Sequence, residues 1–453
     1  MRTQLQQHLA VLFCRHFGQF FLLVTNVCTL ALSVAWAESA HDVDAGTIRI
    51  LSLDQGIAQA FAHNRDLIAS GDDVAAAMAN RIGASEIQNP TFSWSTAKIN
   101  LNGNRQTGPL KDRSYDTIIS LNQMIETGGK RGARIASSDA IIESAQARSA
   151  DALRTVRLAV QRKWVALALA SENRRIVLDS AAALDREAAI ARDRFTLGDL
   201  AEVDSQQIEI AAAQRRSDAE AAIHDEGAAR IALAMILGID SFTGWETAED
   251  LHALSHLAET SGLPAQPPIR PDVLAAMAAV RSQQAVVRLS RAGRIPDPTV
   301  SLIYEHNPAD GGGPGGDSVG LGVSLALPVL NQNDGAIQGS YVALRAAEHE
   351  LERIKAVVVS DLANARLDQA TAATKEKRYR EEILPKAEHA WESVSFAYGK
   401  GSASLVDLLS AQRTLNDVRL AVAQARSDSI SASFSLRVLF LPDIPAPFLD
   451  KKP

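Results

Sequence analysis

Few residues in this chain have the type and spacing to do chemistry, and most of them stand alone. His252 and His256 are four residues apart, the spacing that puts two imidazoles on one helix face within reach of a shared cation. His41 stands beside Asp42 and Asp44. Both groups fall in segments that read as exposed, a linker and the start of a processed chain, so the expectation is surface histidines and no metal site. Gly128-Gly129-Lys130-Arg131 has glycines next to a lysine but lacks the strand-GxxxxGK[ST]-helix order of a phosphate loop. Its expected job is to release a strand into a helix, with two cations near a membrane interface where anionic lipid attracts them. No HExxH, GxSxG or supported carboxylate pair occurs. The expectation is therefore no catalytic residue and no cofactor.

Thiol chemistry drops out for a different reason. Arg2 and Arg15 precede an apolar run from Phe17 to Val34 that ends in Ala35-Trp36-Ala37, with no acidic residue before Glu38. That is the pattern of a secretory signal peptide with an A-x-A cleavage site, expected over residues 1–37. Cys14 and Cys28, the only cysteines, lie inside it, so the exported chain has no disulfide or thiolate. Lipidation at Cys28 is not expected, because Thr25-Asn26-Val27 lacks the small residue normally needed ahead of such a site. Removal of this segment takes the formal net charge from −7 to −9. An acidic chain is a poor ligand for nucleic acid, whose binding depends on phosphate neutralisation by Lys and Arg.

With chemistry sparse, the elements carry the information. Ile87-Gln88-Asn89-Pro90-Thr91-Phe92-Ser93 returns as Ile295-Pro296-Asp297-Pro298-Thr299-Val300-Ser301. Ile119-Ser120-Leu121 returns as Val323-Ser324-Leu325, and Gly198 with Asp204 returns as Gly401 with Asp407. The offset drifts slowly, as in a duplicated unit with one shortened loop. The expected division is a first repeat over 38–240, a Pro-rich linker segment over 241–271, a second repeat over 272–441 and a tail over 442–453.

Each repeat reads the same way. An Ala-rich helix (about 54–86; 272–294) stops before prolines. A strand hairpin follows (90–101 with 115–125; 298–306 with 318–328), closed by the turn-rich loops 102–114 and 307–317. In the last strand Val319, Leu321, Val323, Leu325 and Leu327 alternate with small residues, which puts large apolar groups on one face. A very long helix comes next (about 134–194; 336–396), then a turn and a shorter helix (200–237; 405–440). Stripes such as Leu153, Val156, Val160 and Ile176, Ser180, Leu184 suit coiled-coil packing, and about 60 residues of helix would be about 90 Å long. In the second repeat the two shorter helices, laid end to end, match the long one and could flank it. Beyond residue 37 no apolar run reaches the roughly 20 residues of a membrane helix. Four strands per chain are too few for a closed membrane barrel, which needs at least about eight, so several chains would share one.

Taken together, Leu51-Ser52-Leu53-Asp54, the two hairpins, and the turns Phe195-Thr196-Leu197-Gly198-Asp199-Leu200-Ala201-Glu202-Val203-Asp204 and Tyr398-Gly399-Lys400-Gly401-Ser402-Ala403-Ser404-Leu405-Val406-Asp407 resemble the TolC-type outer-membrane factor family. The resemblance covers the whole exported chain. It implies a mainly α fold with a small β part: a homotrimer with a twelve-stranded barrel in the outer membrane and a twelve-helix tube through the periplasm. It also implies a passive efflux conduit working with a periplasmic adaptor and an inner-membrane RND pump, and touching outer-membrane lipid.

By the same resemblance Gly198 and Gly401 mark the periplasmic hairpin tips. Tyr398 and Asp204 match a pair that can hydrogen-bond across neighbouring hairpins, and Asp407 matches an acidic position at the narrow entrance. Val203, Ala403 and Ser410 depart from the pattern, so part of the closing network and one acidic ring are missing. Two bland readings accompany these roles: helix-terminal charges for Asp204 and Asp407, and permissive turns for the glycines. Gly128-Gly129-Lys130-Arg131 resembles a signature of the heavy-metal branch, the CzcC and CusC type. The competing classes are a periplasmic adaptor, which would carry one helical hairpin between β-rich domains, and a soluble metal-binding enzyme resting on the scattered histidines. Which substrate passes is not written in these residues.

Overall fold

The computed structural model describes residues 49–97, 116–260, 262–264, 266–307 and 315–440. The expected signal peptide, the loop 102–114, most of the loop 307–317 and the tail 442–453 lie outside these residues. From Ile50 on, the described residues make one unit. Among the described residues no helix is long and apolar enough to cross a membrane.

The chain enters through β1 (Arg49–Leu51) and turns into α1 (Leu53–His63). A capping box starts this helix: the Ser52 hydroxyl accepts from the Gln55 N–H while the Gln55 side chain accepts from the Ser52 N–H, which satisfies two otherwise orphaned donors. The single helix expected over 54–86 is in fact two, α1 and α2 (Arg65–Ser85). Asn64 divides them. Its backbone is extended and its side chain accepts from Asp66 N–H and Leu67 N–H. The side-chain amide also donates to Ile236 O. That makes it the N-cap of α2 and a tie to a distant helix.

β2 (Thr91–Ala97) and β3 (Asp116–Met124) lead into α3 (Lys130–Thr196), 67 residues long, or about 100 Å at 1.5 Å per residue. After a turn, α4 (Glu202–Leu237) returns. β4 (Trp245–Thr247) and the short α5 (Leu251–Leu257) lie in the linker before α6 (Pro271–Ala292). The order then repeats with β5 (Thr299–Asn307), β6 (Gly316–Ser324), α7 (Asp334–Arg378), a five-residue π segment (Tyr379–Ile383), α8 (Leu384–Gly399) and α9 (Leu405–Val438). α6 and α9 both pack on α7, as their lengths suggested. The long helix expected over 336–396 is interrupted by the π segment, where the Leu384 N–H reaches Tyr379 O, five residues back. Pro385 follows. It has no N–H to give and crowds the preceding turn.

The core is continuous across the two repeats. Val160, Trp164 and Val165 of α3 are enclosed by Leu233 and Leu237 of α4, Leu251 and Leu254 of α5, and Ile430 and Phe434 of α9. Gly56 of α1 makes room for the largest of these: a Cβ there would lie 2.3 Å from a Trp164 ring carbon. Farther along α3, small polar residues replace bulk. Ser137 meets Ser282 of α6 at 3.0 Å, Ser144 donates to Ala275 O, and Asn416 of α9 donates to Ser180. These allow close helix approach while keeping each buried polar group paired.

Candidate functional site

Two places have the geometry of function, the sheet and the end of the molecule where both helical hairpins turn. In the four-stranded antiparallel sheet the order is β2-β3-β5-β6, so the two strand hairpins pair side by side and β2 and β6 are its edges. Phe92 stands opposite Leu121, Leu121 opposite Leu302, and Leu302 opposite Leu321. The next row on the same face runs Trp94, Ile119, Tyr304 and Val319. Most of these side chains are exposed, Trp94 by 69% and Leu321 by 82%. The other face carries Thr91, Asn122, Ser301 and Gly322 in one row and Ser93, Ser120, Ile303 and Gly320 in the next, with Ser93 and Ser120 joined at 2.6 Å. One face is thus apolar and unburied, the other mostly small or polar, with Ile118 and Ile303 its apolar exceptions. That alternation suits a wall with lipid on one side and water on the other. The strand expected over 318–328 stops at Ser324, because its partner β5 begins opposite it at Thr299 and Pro298 has no N–H to extend the ladder.

The sheet is fastened to the helices by the Gly128-Gly129-Lys130-Arg131 segment. Both glycines have positive φ, 66° and 74°, so they do release strand into helix. Lys130 is turned inward, which corrects its expected role at a lipid interface, while Arg131 stays exposed. Lys130 donates to Asp297 at 2.6 Å and to Ile295 O at 2.6 Å, while Arg131 donates to Ser85 O. Thr127 adds its N–H and hydroxyl to Asp297. Burial pushes the Asp297 carboxyl up, but the hydrogen bonds from Lys130 and Thr127 together outweigh it and hold the carboxyl below its usual range. The segment ties the first hairpin's exit to the second hairpin's entry. Sequence reading missed Asp297 as the partner, although its place between two prolines marked it as fixed.

At the far end, α3 and α8 finish alike. The Gly198 N–H bonds to Phe195 O and the Asp199 N–H to Arg194 O; the Gly401 N–H bonds to Tyr398 O and the Ser402 N–H to Ala397 O. With φ of 81° at Gly198 and 75° at Gly401, each is a Schellman ending with glycine in the left-handed region. The permissive-turn reading of both glycines therefore holds. Tyr398 packs with Leu184, Ala188 and Ala191 of α3, Ile208 and Ala212 of α4, and Leu405 of α9, so the two tips meet within one chain. Asp204 lies half-buried in the first turn of α4, and within the chain no hydrogen bond joins it to Tyr398.

Asp407 is the third residue of α9 and closes a capping box with Ser404. It accepts from the Ser404 N–H at 3.1 Å and hydroxyl at 2.6 Å, and its own N–H donates back to Ser404 Oγ. Those bonds hold its carboxyl below the usual range. The helix-terminal reading of Asp407 is thus realised. Its cap contribution is fully present above the unfolded carboxyl pKa of about 3.9 and is lost as pH falls through the lower folded value. Ser404→Ala is accordingly expected to lower stability at pH 7 while leaving it nearly unchanged at pH 2, so that the acid side of the thermal-stability profile flattens. An unchanged acid limb, measured by circular-dichroism melts from pH 2 to 7, would contradict this. Around both tips Leu197, Val203, Phe396 and Val406 are exposed. Sequence reading passed over this apolar surface because single apolar residues in turns carry no period.

Among the described residues no group of three or more His, Cys, Asp or Glu side chains is gathered to hold a metal. Residues 269–440 match the family model described as Outer membrane efflux protein. The cobalt-zinc-cadmium resistance protein CzcC of Cupriavidus metallidurans is 27% identical over 317 residues, covering 69% of this chain and 74% of that one. The structure of CusC superposes with a TM-score of 0.73 at 16% identity, covering 87% of this chain and 93% of that one. The outer membrane protein VceC of Vibrio cholerae does so with a TM-score of 0.68 at 18% identity, covering 85% and 95%. The mainly helical fold with its small sheet is that of these outer-membrane channels.

Proposed function

We infer that this chain is the outer-membrane channel of a tripartite efflux system, conducting substrate passively from a periplasmic adaptor and an RND-type pump to the exterior. The observation that carries the reading is the one-sided sheet, with rows of large apolar side chains on an unburied face and mostly small or polar residues on the other, mounted on helices about 100 Å long. A bilayer-crossing sheet cannot leave N–H and C=O groups unpaired in lipid, yet β2 and β6 are both edges. Three copies closing β6 of one onto β2 of the next give a barrel of twelve strands and no edge. The same assembly places three pairs of helical tips around the inner mouth, and the exposed Leu197, Phe396 and Val406 there suit an adaptor. Residues 38–240 and 272–441 act as the two repeats of this design, and no catalytic step is assigned to either.

The inner mouth is proposed to be gated by Asp407 from three chains and by a Tyr398 to Asp204 hydrogen bond between neighbouring hairpins, turning on Gly198 and Gly401. A hydrogen bond to a charged group contributes about 1.5–3 kcal/mol, small enough for a docking partner to reverse. Because the Ser404 bonds favour the ionised Asp407, a ring of three would stay negative and draw divalent cations. The likeness to CzcC favours transition-metal dications as cargo. The protein in detergent should have the mass of three chains, and in planar bilayers Asp407→Ala should weaken divalent block while Tyr398→Phe with Asp204→Ala raises conductance. A stable monomer overturns the shared barrel. A trimer whose conductance and block ignore these variants overturns the gate alone.

A further inference from the structure

We propose that His252 and His256 of α5 form a surface site for one imidazole-preferring dication, Cu2+, Ni2+ or Zn2+, on the linker segment. The site does not depend on the conduit reading. α5 is short but firmly held. Asp250 caps it through the Ala253 N–H at 2.8 Å, Leu251, Leu254 and Ala258 sit in the core at 5%, 0% and 3% exposure, and Arg437 of α9 donates to Leu257 O. With 251, 254 and 258 facing inward, 252 and 256 must share the outward face. The two rings stand edge to face with centroids 4.9 Å apart.

A chelated ion with metal-to-nitrogen bonds of about 2.0–2.1 Å needs its two nitrogens roughly 3 Å apart. Side-chain rotation alone can close that gap, because both rings are exposed and the backbone is already fixed. Glu259 lies 3.6 Å from His256 Nδ1. That is beyond hydrogen-bond range, but a small side-chain shift would bring the carboxylate onto that nitrogen, where it orients the ring, raises its basicity and leaves Nε2 for the metal. His252 also borders a groove of about 570 Å³ whose lining includes Asp250, Asp179 and Glu172 together with Arg175, Arg419 and Arg426. Glu172 and Asp179 are paired with Arg175 and Asp250 caps the helix, so the groove is no general cation sink and the two imidazoles carry the site. Two imidazoles with waters completing the shell suit Cu2+ best, following the order of divalent affinities, and offer little to Ca2+ or Mg2+, which take oxygen ligands.

The test uses the full exported chain in detergent, titrated with Cu2+ and Zn2+ by calorimetry, with electron paramagnetic resonance of the Cu2+ form. Wild type should bind one Cu2+ per chain with nitrogen hyperfine structure from two imidazoles. His252→Ala and His256→Ala should each weaken binding at least about tenfold, while His349→Ala on α7 leaves it unchanged. Thermal melts without metal should be the same for all, since both rings are exposed. Binding that survives the double variant, or a signal with no two-nitrogen signature, overturns the site. A monomer that still binds one ion through this pair would overturn the channel reading and leave this one standing.

Discussion

Leu321→Arg is expected to destabilise the protein in a bilayer by about 2–4 kcal/mol, the cost of a cation on the lipid face of a barrel near the midplane. Leu321 ends the row Phe92, Leu121, Leu302, Leu321 and is 82% exposed in the chain, so packing within the chain does not explain its leucine. The control lies one residue away on the opposite face. At Gly322 an added Cβ would meet only Ser301 Cβ at 3.6 Å and Ile303 Cδ1 at 3.7 Å, ordinary contacts, so Gly322→Ser should be tolerated to within about 0.5 kcal/mol as a surface change. Urea unfolding in lipid vesicles separates the two variants. If Gly322→Ser is the damaging one and Leu321→Arg is neutral, the sheet faces lipid with the side assigned here to water.

Trp164→Ala should cost about 3–5 kcal/mol, the range for emptying a large aromatic site. Its ring is fully enclosed at 0% exposure and bridges the repeats, touching a cluster that includes Leu233 of the first and Phe434 of the second. The indole N–H has no protein partner, so nothing polar is lost in Trp164→Phe, and its smaller cavity should make it less costly than the alanine. Gly56→Ala would push a methyl to 2.3 Å from the same ring and should cost about 1–3 kcal/mol by overpacking. Combined with Trp164→Phe it should cost less than the sum, because both act on one contact. Thermal melts of the four proteins decide this. Additive losses would mean that Gly56 is there for some reason other than the ring.

How much of this was legible depended on whether the cause was local. The alternation at Val319, Leu321 and Val323 is a property of one strand, and so was visible. Where that strand ends is set by β5, which begins at Thr299, so Leu325 and Leu327 kept the pattern without keeping the pairing. Glycines at 198 and 401 could be assigned to turns because the left-handed region needs them. The second role of Asp407 depended on Ser404 three residues before it, a capping-box spacing that was present in the sequence. Asn64 carried a readable N-cap signal, but alanine-rich flanks on both sides masked it. The Lys130 to Asp297 bond spans 167 residues, and no local pattern could have announced it.

The π segment sets an azimuth. One residue more than an α-turn holds is taken up between Tyr379 and Leu384, and at 3.6 residues per turn that advances every later side chain by about 100° around the axis. α7 and α8 are therefore one rod out of phase with itself: Ile337, Ser340 and Ala365 define the buried meridian before the offset and Ala387 the meridian after it. Tyr398 reaches the cluster of Leu184 and Ile208 only on the second meridian. The aim of the tip is dialled in at the middle of the rod, and a deletion of one residue from 379–383 would swing Tyr398 by that same angle without touching the tip itself.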